Sequence, residues 1–356
     1  MPYRGQNRVL DLYASSSSTL IDVSDVISMQ EVDAHCPCCG AEVRAVPFSG
    51  RERQIPVDVP TVQRYASCDE CGSWFAVETE ADFSASRHYP AQYYSFIVAP
   101  DSVVTRFLRG ERVRHSTSRG RPLGWLISRA IGVPADLEAF GQLGAQRSDR
   151  ILDVGAGAGR LVRDLYAGGF RHVTGCDAFG PDQIGPPVLI RGDLAAVRGA
   201  WDVIMYHHCL EHIDDPMAEL RRATQRLSVE GKLLVRVPLT DSDAAAEYGD
   251  RWVQLDAPRH RVIPSAAGVR AMAARAGLIV EREWRDSSAF QFWGSELYRR
   301  DVALQSLSGG PSAHFSRAAL KTWALRARQL NLSSRGDQGV FILRRASSTQ
   351  SLAVGK

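Results

Sequence analysis

The sequence predicts an α/β protein: a doubly wound sheet of parallel strands alternating with helices, led by a small cysteine-bound module. Three observations carry this. From about residue 148, short apolar runs alternate with amphipathic helical stretches. A glycine-rich turn, Asp153-Val-Gly-Ala-Gly-Ala-Gly159, joins the first of those runs to the first helix. Two Cys-x-x-Cys-Gly turns, Cys36–Gly40 and Cys68–Gly72, stand well upstream.

Composition sets the bounds. The chain has 356 residues and is 44% hydrophobic, enough for a sizeable core and too much for wholesale disorder. A net charge of +3 is too mild to demand a nucleic-acid partner. Of 43 basic residues only Lys232, Lys321 and Lys356 are lysines, so any one Arg-rich stretch is a weak signal. No apolar run approaches the roughly 20 residues of a membrane helix, and the polar N-terminal stretch lacks the apolar segment of an export signal. The expectation is a cytoplasmic protein without a membrane span.

Taken in order, residues 1–80 read as an N-terminal tail and a zinc ribbon. Seven cysteines without an export signal argue against a disulfide framework. Two paired turns can close a tetrahedral shell of four thiolates, Cys36, Cys39, Cys68 and Cys71, around a structural Zn2+. Gly40 and Gly72 let backbone N–H groups approach the sulfurs, and Glu42–Phe48 and Trp74–Val77 supply short strands. Using Cys38 would shorten its loop to one residue, so it is left out. Cys176 and Cys209 read as core residues. Residues 81–147 read as a helical and irregular connection with tyrosines at 89, 93 and 94 and an Arg run, Arg106–Arg121, taken as a solvated face.

Residues 148–346 hold the alternating pattern. Strands are expected at Arg150–Val154, His172–Cys176, Val188–Arg191, Trp201–Tyr206, Gly231–Val237, Leu278–Trp284 and Val340–Arg344. Helices are expected at Arg160–Ala167, from the Asp215-Pro216 start to Leu227, and from the Ser265 cap to Ala276. A partly helical insertion falls near 285–337, and 347–356 reads as a disordered tail.

In such a sheet a ligand binds where the first strand turns into the first helix. Gly155, Gly157 and Gly159 with Ala156 allow a tight turn and close backbone approach. Arg160 breaks the nicotinamide pattern G-x-G-x-x-G. Asp177, ending the second strand, can accept both hydroxyls of a ribose, and Asp193-Leu194 after the third can meet an adenine edge.

These residues, with Trp201-Asp-Val-Ile-Met-Tyr-His-His-Cys-Leu-Glu-His-Ile-Asp-Asp-Pro216, resemble the class I S-adenosylmethionine-dependent methyltransferases. Leu255-Asp-Ala-Pro-Arg-His260 and Gly294-Ser-Glu-Leu-Tyr298 resemble a subgroup with an N-terminal zinc ribbon, found among sugar and secondary-metabolite methyltransferases. The resemblance implies a Rossmann-like seven-stranded methyltransferase sheet. It implies that Asp153 and the Gly155–Gly159 backbone hold the methionine end, that Asp177 takes the ribose and Asp193 and Leu194 the adenine, and that Tyr206 and His207 line the methyl-transfer cavity.

A hydroxyl acceptor needs a base, and His is tuned for that work. His208 is the preferred base because Glu211 can contact it from the next turn; His207 and His260 are the other candidates, and His212 reads as structural. His208-Cys-Leu-Glu-His212 spells a zinc-peptidase order, but it follows a buried strand instead of lying on a sustained helix. Ubiquinone-pathway O-methyltransferases, which this region resembles, bind a divalent ion through E-x-x-E-H, so Mg2+ at this position is carried as an open reading. The expected activity is methyl transfer to a hydroxyl of a sugar, glycan or secondary metabolite. Sugar C-methylation, RNA methylation using the ribbon and the Arg run, and a non-catalytic ribbon protein are the alternatives.

Overall fold

The computed structural model describes residues 31–56, 61–77, 102–118, 122–183 and 185–346. The tyrosines of the connecting region, Arg119, Arg121 and the tail from 347 lie outside the described residues.

Among the described residues the main sheet has seven strands. In chain order they are β6 (Ile151–Val154), β7 (Val173–Asp177), β8 (Val188–Arg191), β9 (Trp201–His207), β10 (Leu227–Pro238), β12 (Leu278–Arg285) and β13 (Gln338–Arg345). Their spatial order is β12-β13-β10-β9-β6-β7-β8. The strands β8, β7, β6, β9 and β10 run parallel, and β13 is antiparallel to β10 and β12. This is the seven-stranded Rossmann-like sheet the sequence leads one to expect.

Strand alternation divides the core into two layers. Leu152, Val154, Ile204, Tyr206, Leu233 and Val235 face helices α5 (Pro216–Arg226) and α7 (Ala266–Arg275). Ile151, Val203, Met205 and Leu234 face α3 (Ala135–Gly141) and α4 (Arg160–Ala167). Caps written in the sequence fix the helix starts: the Asp215 carboxylate accepts from Ala218 N with Pro216 in the first turn, and Ser265 Oγ accepts from Gly268 N. Helices α1 (Val103–Thr117) and α2 (Pro122–Ile131) precede α3; α6 (Asp243–Tyr248) follows β10; α8 (Phe290–Arg299) and α9 (Arg317–Leu332) fill the segment between β12 and β13.

The ribbon contributes β1 (Val32–His35) paired with β2 (Glu42–Ala45), and β3 (Phe48–Arg51), β4 (Val62–Ser67) and β5 (Trp74–Ala76) in a four-stranded sheet. The fourth strand of that sheet is β11 (Val262–Ile263), from the methyltransferase-like segment, with Val262 opposite Phe75 and Ile263 opposite Trp74. The boundary expected at residue 80 is therefore bridged by a strand. Cys36, Cys68, Cys71 and Phe75 also share one apolar cluster with Met217, Leu220, Val269 and Met272. Two apolar surfaces too small to bury alone are buried against each other.

The Arg run takes a course the solvated-face reading misses. Arg109 pairs with Asp164 at 3.4 Å, Arg114 with Glu111 at 3.1 Å, and Arg112 reaches Gly132 O. Arg106 stays exposed. Most of the described part of the run is spent on internal partners.

Candidate functional site: a glycine cradle, a four-thiol cluster and a histidine–carboxylate pocket

The turn after β6 is held open by backbone conformation. Gly155, Gly157 and Gly159 have φ of 75°, 54° and 77°, the left-handed region that only glycine enters freely. A Cβ on Gly155 would lie 2.4 Å from Cys209 Sγ, so Cys209 packs directly on the turn. The Asp177 carboxylate accepts from Gly157 N at 2.9 Å and from Phe179 N and Gly180 N at 2.8 Å each. A carboxylate offers about four acceptor positions. Three N–H groups therefore leave room for one ribose hydroxyl, not the two expected, unless the 178–180 loop shifts.

Asp153 is buried beside Asp136 and Arg160. Burial, with Asp136 and Asp177 adding to it, pushes its carboxyl up to about 8. Asp193 caps a short turn through Ala195 N at 2.9 Å, and Leu194 is fully buried in the core. Only the Asp193 backbone and the outer carboxylate oxygen are left to face an adenine.

Tyr206 corrects one expectation. Its side chain is 0% exposed and its hydroxyl donates to Glu219 Oε1 at 2.9 Å, beneath α5. It lies on the opposite face of β9 from His207, so it does not line a cavity with it. His207 sits on the α3 side with Asp136, Arg160 and Arg236 around it. Both of its ring nitrogens are buried without a hydrogen-bond partner, and burial, helped by the Arg236 charge, drops its pKa to about 3.

His208 stands at the end of β9 with φ 52°. Its Nδ1 lies 3.2 Å from Glu211 Oε1, and its side chain is 27% exposed. Burial raises the Glu211 carboxyl, but the His208 hydrogen bond and the neighbouring histidines hold it down to about 2. Burial and the His260 charge lower His212 to about 4. His260 closes the far side: its Nδ1 is 2.7 Å from Gln254 O, and its ring meets that of His212 edge-on at 4.6 Å. The backbone ties the two segments together through Arg261 N to Glu211 O at 2.7 Å.

The ribbon braces this pocket. Tyr65 OH donates to His260 O at 2.9 Å. Arg259, fully buried, forks onto Glu52 of the ribbon at 2.5 and 2.9 Å and also pairs with Asp256. Glu52, Asp136 and Arg236 were not singled out from the sequence, and Asp256 and Arg259 entered only within the Leu255–His260 segment, with no role given to either. Their signal was faint: single charges scattered over a helix (Asp136), a strand (Arg236) and loops, whose partners are 100 or more positions away in the cases of Arg259–Glu52 and Arg236–Gln338.

The four thiols converge as the spacing anticipates. Cys36 and Cys71 sulfurs are 3.6 Å apart, as are Cys39 and Cys68, and all four lie within 4.8 Å of one another. Sulfurs about 2.3 Å from a tetrahedral zinc would be about 3.8 Å apart, so the cluster fits the ion. Each knuckle closes identically, with Gly40 N on Cys36 O at 2.8 Å and Gly72 N on Cys68 O at 2.7 Å. The contact with Cys36 and burial push the Cys71 thiol up to about 12, a repulsion that a central dication would remove. Cys38 is buried on the other side, against α7 beside Gly268.

Residues 130–283 match a family model described as a methyltransferase domain. The chain carries a methyltransferase domain. No curated protein sequence matches the chain. Loosely similar solved structures include a cyclopropane synthase from Mycobacterium tuberculosis (18% identity, 68% of this chain and 94% of that one, TM-score 0.39). Others are a 1,6-didemethyltoxoflavin-N1-methyltransferase from Burkholderia thailandensis (16%, 70% and 94%, TM-score 0.35) and a magnesium protoporphyrin IX methyltransferase from Synechocystis PCC 6803 (13%, 73% and 95%, TM-score 0.37). These likenesses are too loose to bear on substrate.

In the methyltransferase domain the glycine cradle, Asp177 and the end of β9 occupy the carboxyl edge of the sheet, where ligands bind in this fold. Mg2+ does not fit the pocket beside them. That ion favours carboxylate, phosphate and water oxygens, whereas Glu211, His212 and His260 converge as one carboxylate and two imidazoles. Nor does any described helix have the length and apolarity to cross a membrane.

Proposed function

We propose that the methyltransferase domain transfers a methyl group from S-adenosylmethionine to a hydroxyl of a sugar, glycan or secondary metabolite, and that the ribbon holds a structural Zn2+ on Cys36, Cys39, Cys68 and Cys71. The observation that carries the hydroxyl reading is the His208–Glu211 pair. Glu211 is a buried anion 3.2 Å from His208 Nδ1, which fixes the proton on that nitrogen and turns Nε2 outward as the base.

The donor supplies an electrophilic methyl on sulfur. What the chain does is bind, orient and accept a proton. Asp153 and the backbone of the positive-φ glycine turn hold the methionine end, while Asp177 takes the ribose. His208 takes the acceptor proton as the oxygen attacks, and Glu211 stabilises the imidazolium. The ion pairs of Arg109 with Asp164 and Arg114 with Glu111 weaken the RNA alternative by neutralising two of the run's six arginines.

The test joins binding and turnover. S-adenosylhomocysteine should bind in calorimetry while NAD gives no heat. With a library of sugars and phenolic metabolites, His208→Ala should lower turnover by about 10²–10⁴-fold and leave S-adenosylhomocysteine affinity unchanged. Full activity of His208→Ala would remove the base assignment, and tight NAD binding would remove the donor.

A further inference from the structure

The parallel strands have two ends, and the glycine cradle, Asp177 and His208 use only the carboxyl one. At the amino edge a cleft of about 330 Å³ opens among Arg150, Arg171, His172 and Trp201, with Pro187 and Val188 as an apolar wall. That volume lies within the roughly 300–1,000 Å³ of small-molecule sites. Arg150 precedes β6, Arg171 and His172 precede β7, and Trp201 opens β9. Strand β9 runs seven residues from Trp201 to His207, about 20 Å at some 3.3 Å per residue. A ligand in this cleft is therefore neither the methyl donor nor its acceptor.

The basic groups here differ from the arginines that hold the fold together. Arg236 and Arg259 are matched to carboxylates. Among the described residues Arg150, Arg171 and His172 have no ion pair. The two guanidinium groups lie instead on aromatic faces, Arg150 at 5.1 Å from the Trp201 ring and Arg171 at 4.6 Å from that of Tyr166. Stacking positions a guanidinium and leaves its N–H donors unspent. Gly199 makes the space for it, since a Cβ there would lie 2.5 Å from Arg150 Nη2. The neighbouring carboxylates are engaged elsewhere: Asp202 accepts from the Arg150 backbone N at 2.9 Å and from Ser228 Oγ at 2.8 Å, and Asp149 accepts from Gln146 N at 2.8 Å. Trp201 is only 6% exposed, and its Nε1, which can donate and never accept, is buried without a hydrogen-bond partner. Two guanidinium groups, an imidazole and an indole N–H thus line one cleft with donors in excess.

An anion supplies the missing acceptors. Phosphate oxygens suit paired guanidinium groups, and the proline and valine wall suits the face of an attached ring. We propose that this amino-edge cleft binds a phosphate monoester of a small cyclic metabolite, either a sugar phosphate or a nucleoside monophosphate. The site does not depend on the methyl-donor reading, whose own test is S-adenosylhomocysteine binding.

The experiment is calorimetry on the full chain at about 0.15 M salt, where diffuse attraction is screened beyond about 8 Å. The probes are glucose 1-phosphate and AMP, titrated with S-adenosylhomocysteine in excess, against inorganic phosphate as the control. At least one ester should bind, and more tightly than inorganic phosphate; the tighter of the two identifies the attached ring. Arg150→Gln and Arg171→Gln change exposed side chains without an ion pair, so the fold should stand while each weakens that ester by about 10–150-fold, as expected for lost hydrogen bonds to a charged group. Arg129→Gln, which changes an exposed arginine stacked on Trp125 of α2, should leave binding as it is. No heat from either ester would overturn the proposal. So would equal affinity for inorganic phosphate, loss of the ester on adding S-adenosylhomocysteine, or the same weakening from Arg129→Gln.

Discussion

Glu52→Gln tests whether the ribbon and the methyltransferase domain are one folding unit. Arg259 is 0% exposed and Glu52 3% exposed at the side chain, so the pair is desolvated on both sides. The substitution keeps shape and keeps one oxygen, which can still accept from Gln54 N and Ile55 N as Oε1 now does at 2.7 and 3.1 Å. What it removes is the charge and one arm of the fork, leaving an amide N–H against the guanidinium. Breaking a buried pair costs about 3–5 kcal/mol. Asp256 still contacts Arg259 through Nε at 3.0 Å, so the lower end, about 3 kcal/mol, is expected. At roughly 2–4 °C per kcal/mol for domains of 150–250 residues, the melting midpoint should fall by about 6–12 °C. Tryptophan fluorescence is a suitable assay, because Trp74 of the ribbon and Trp252 of the domain meet edge-on at 5.9 Å. A single transition shifted as a whole is expected. Arg44→Gln, which breaks the exposed pair with Asp33, 77% and 79% exposed, is the control and should change stability by less than about 0.5 kcal/mol. An unchanged midpoint for Glu52→Gln, or a separate early transition belonging to the ribbon alone, would refute the reasoning.

Two further outcomes are expected. Cys39→Ser should lower zinc from about one ion per chain and destabilise the whole fold, whereas Cys38→Ser should retain the metal; elemental analysis decides, and zinc loss from Cys38→Ser would place the wrong sulfur in the shell. Asp153 has a folded pKa of about 8, above an unfolded value of about 3.9. Its favourable contribution is therefore complete below about pH 4 and is lost as pH rises toward 8, so Asp153→Asn should stabilise the ligand-free chain by a few kcal/mol at pH 8 and by little at pH 4, read by urea titration at both values, while weakening S-adenosylhomocysteine.

Strong local signals made much of the α/β segment legible. The helix Arg160–Ala167 and the strand Val188–Arg191 fall where periodicity and the glycine stop put them, and the Ser265 and Asp215 caps start their helices as expected. The His208–Glu211 contact was legible too, because three residues of separation place them on adjoining turns. Strand β11 was not, since two residues carry no period and its partner strand is fixed only by the tertiary fold. Tyr206 was misplaced for a reason the sequence contains: with Ile204 and Tyr206 on one face, Met205 and His207 belong on the other. The Arg259–Glu52 pair was invisible because its halves are 207 positions apart. No local pattern reports a contact of that range.

The borrowed strand β11 sets an order of events during synthesis. Tyr65 and the His260 carbonyl it holds are 195 positions apart. At about 5–20 residues per second, the ribbon leaves the ribosome roughly 10–40 s before the strand that completes its sheet. Through that interval the outer edge of β5 is an unpaired template for any passing chain. Early metal capture by the four cysteines would knot the two knuckles together and keep that edge short and twisted while it waits. Cells starved of zinc should therefore lose this protein to inclusion bodies as it is made, well before any finished molecule gives up its ion.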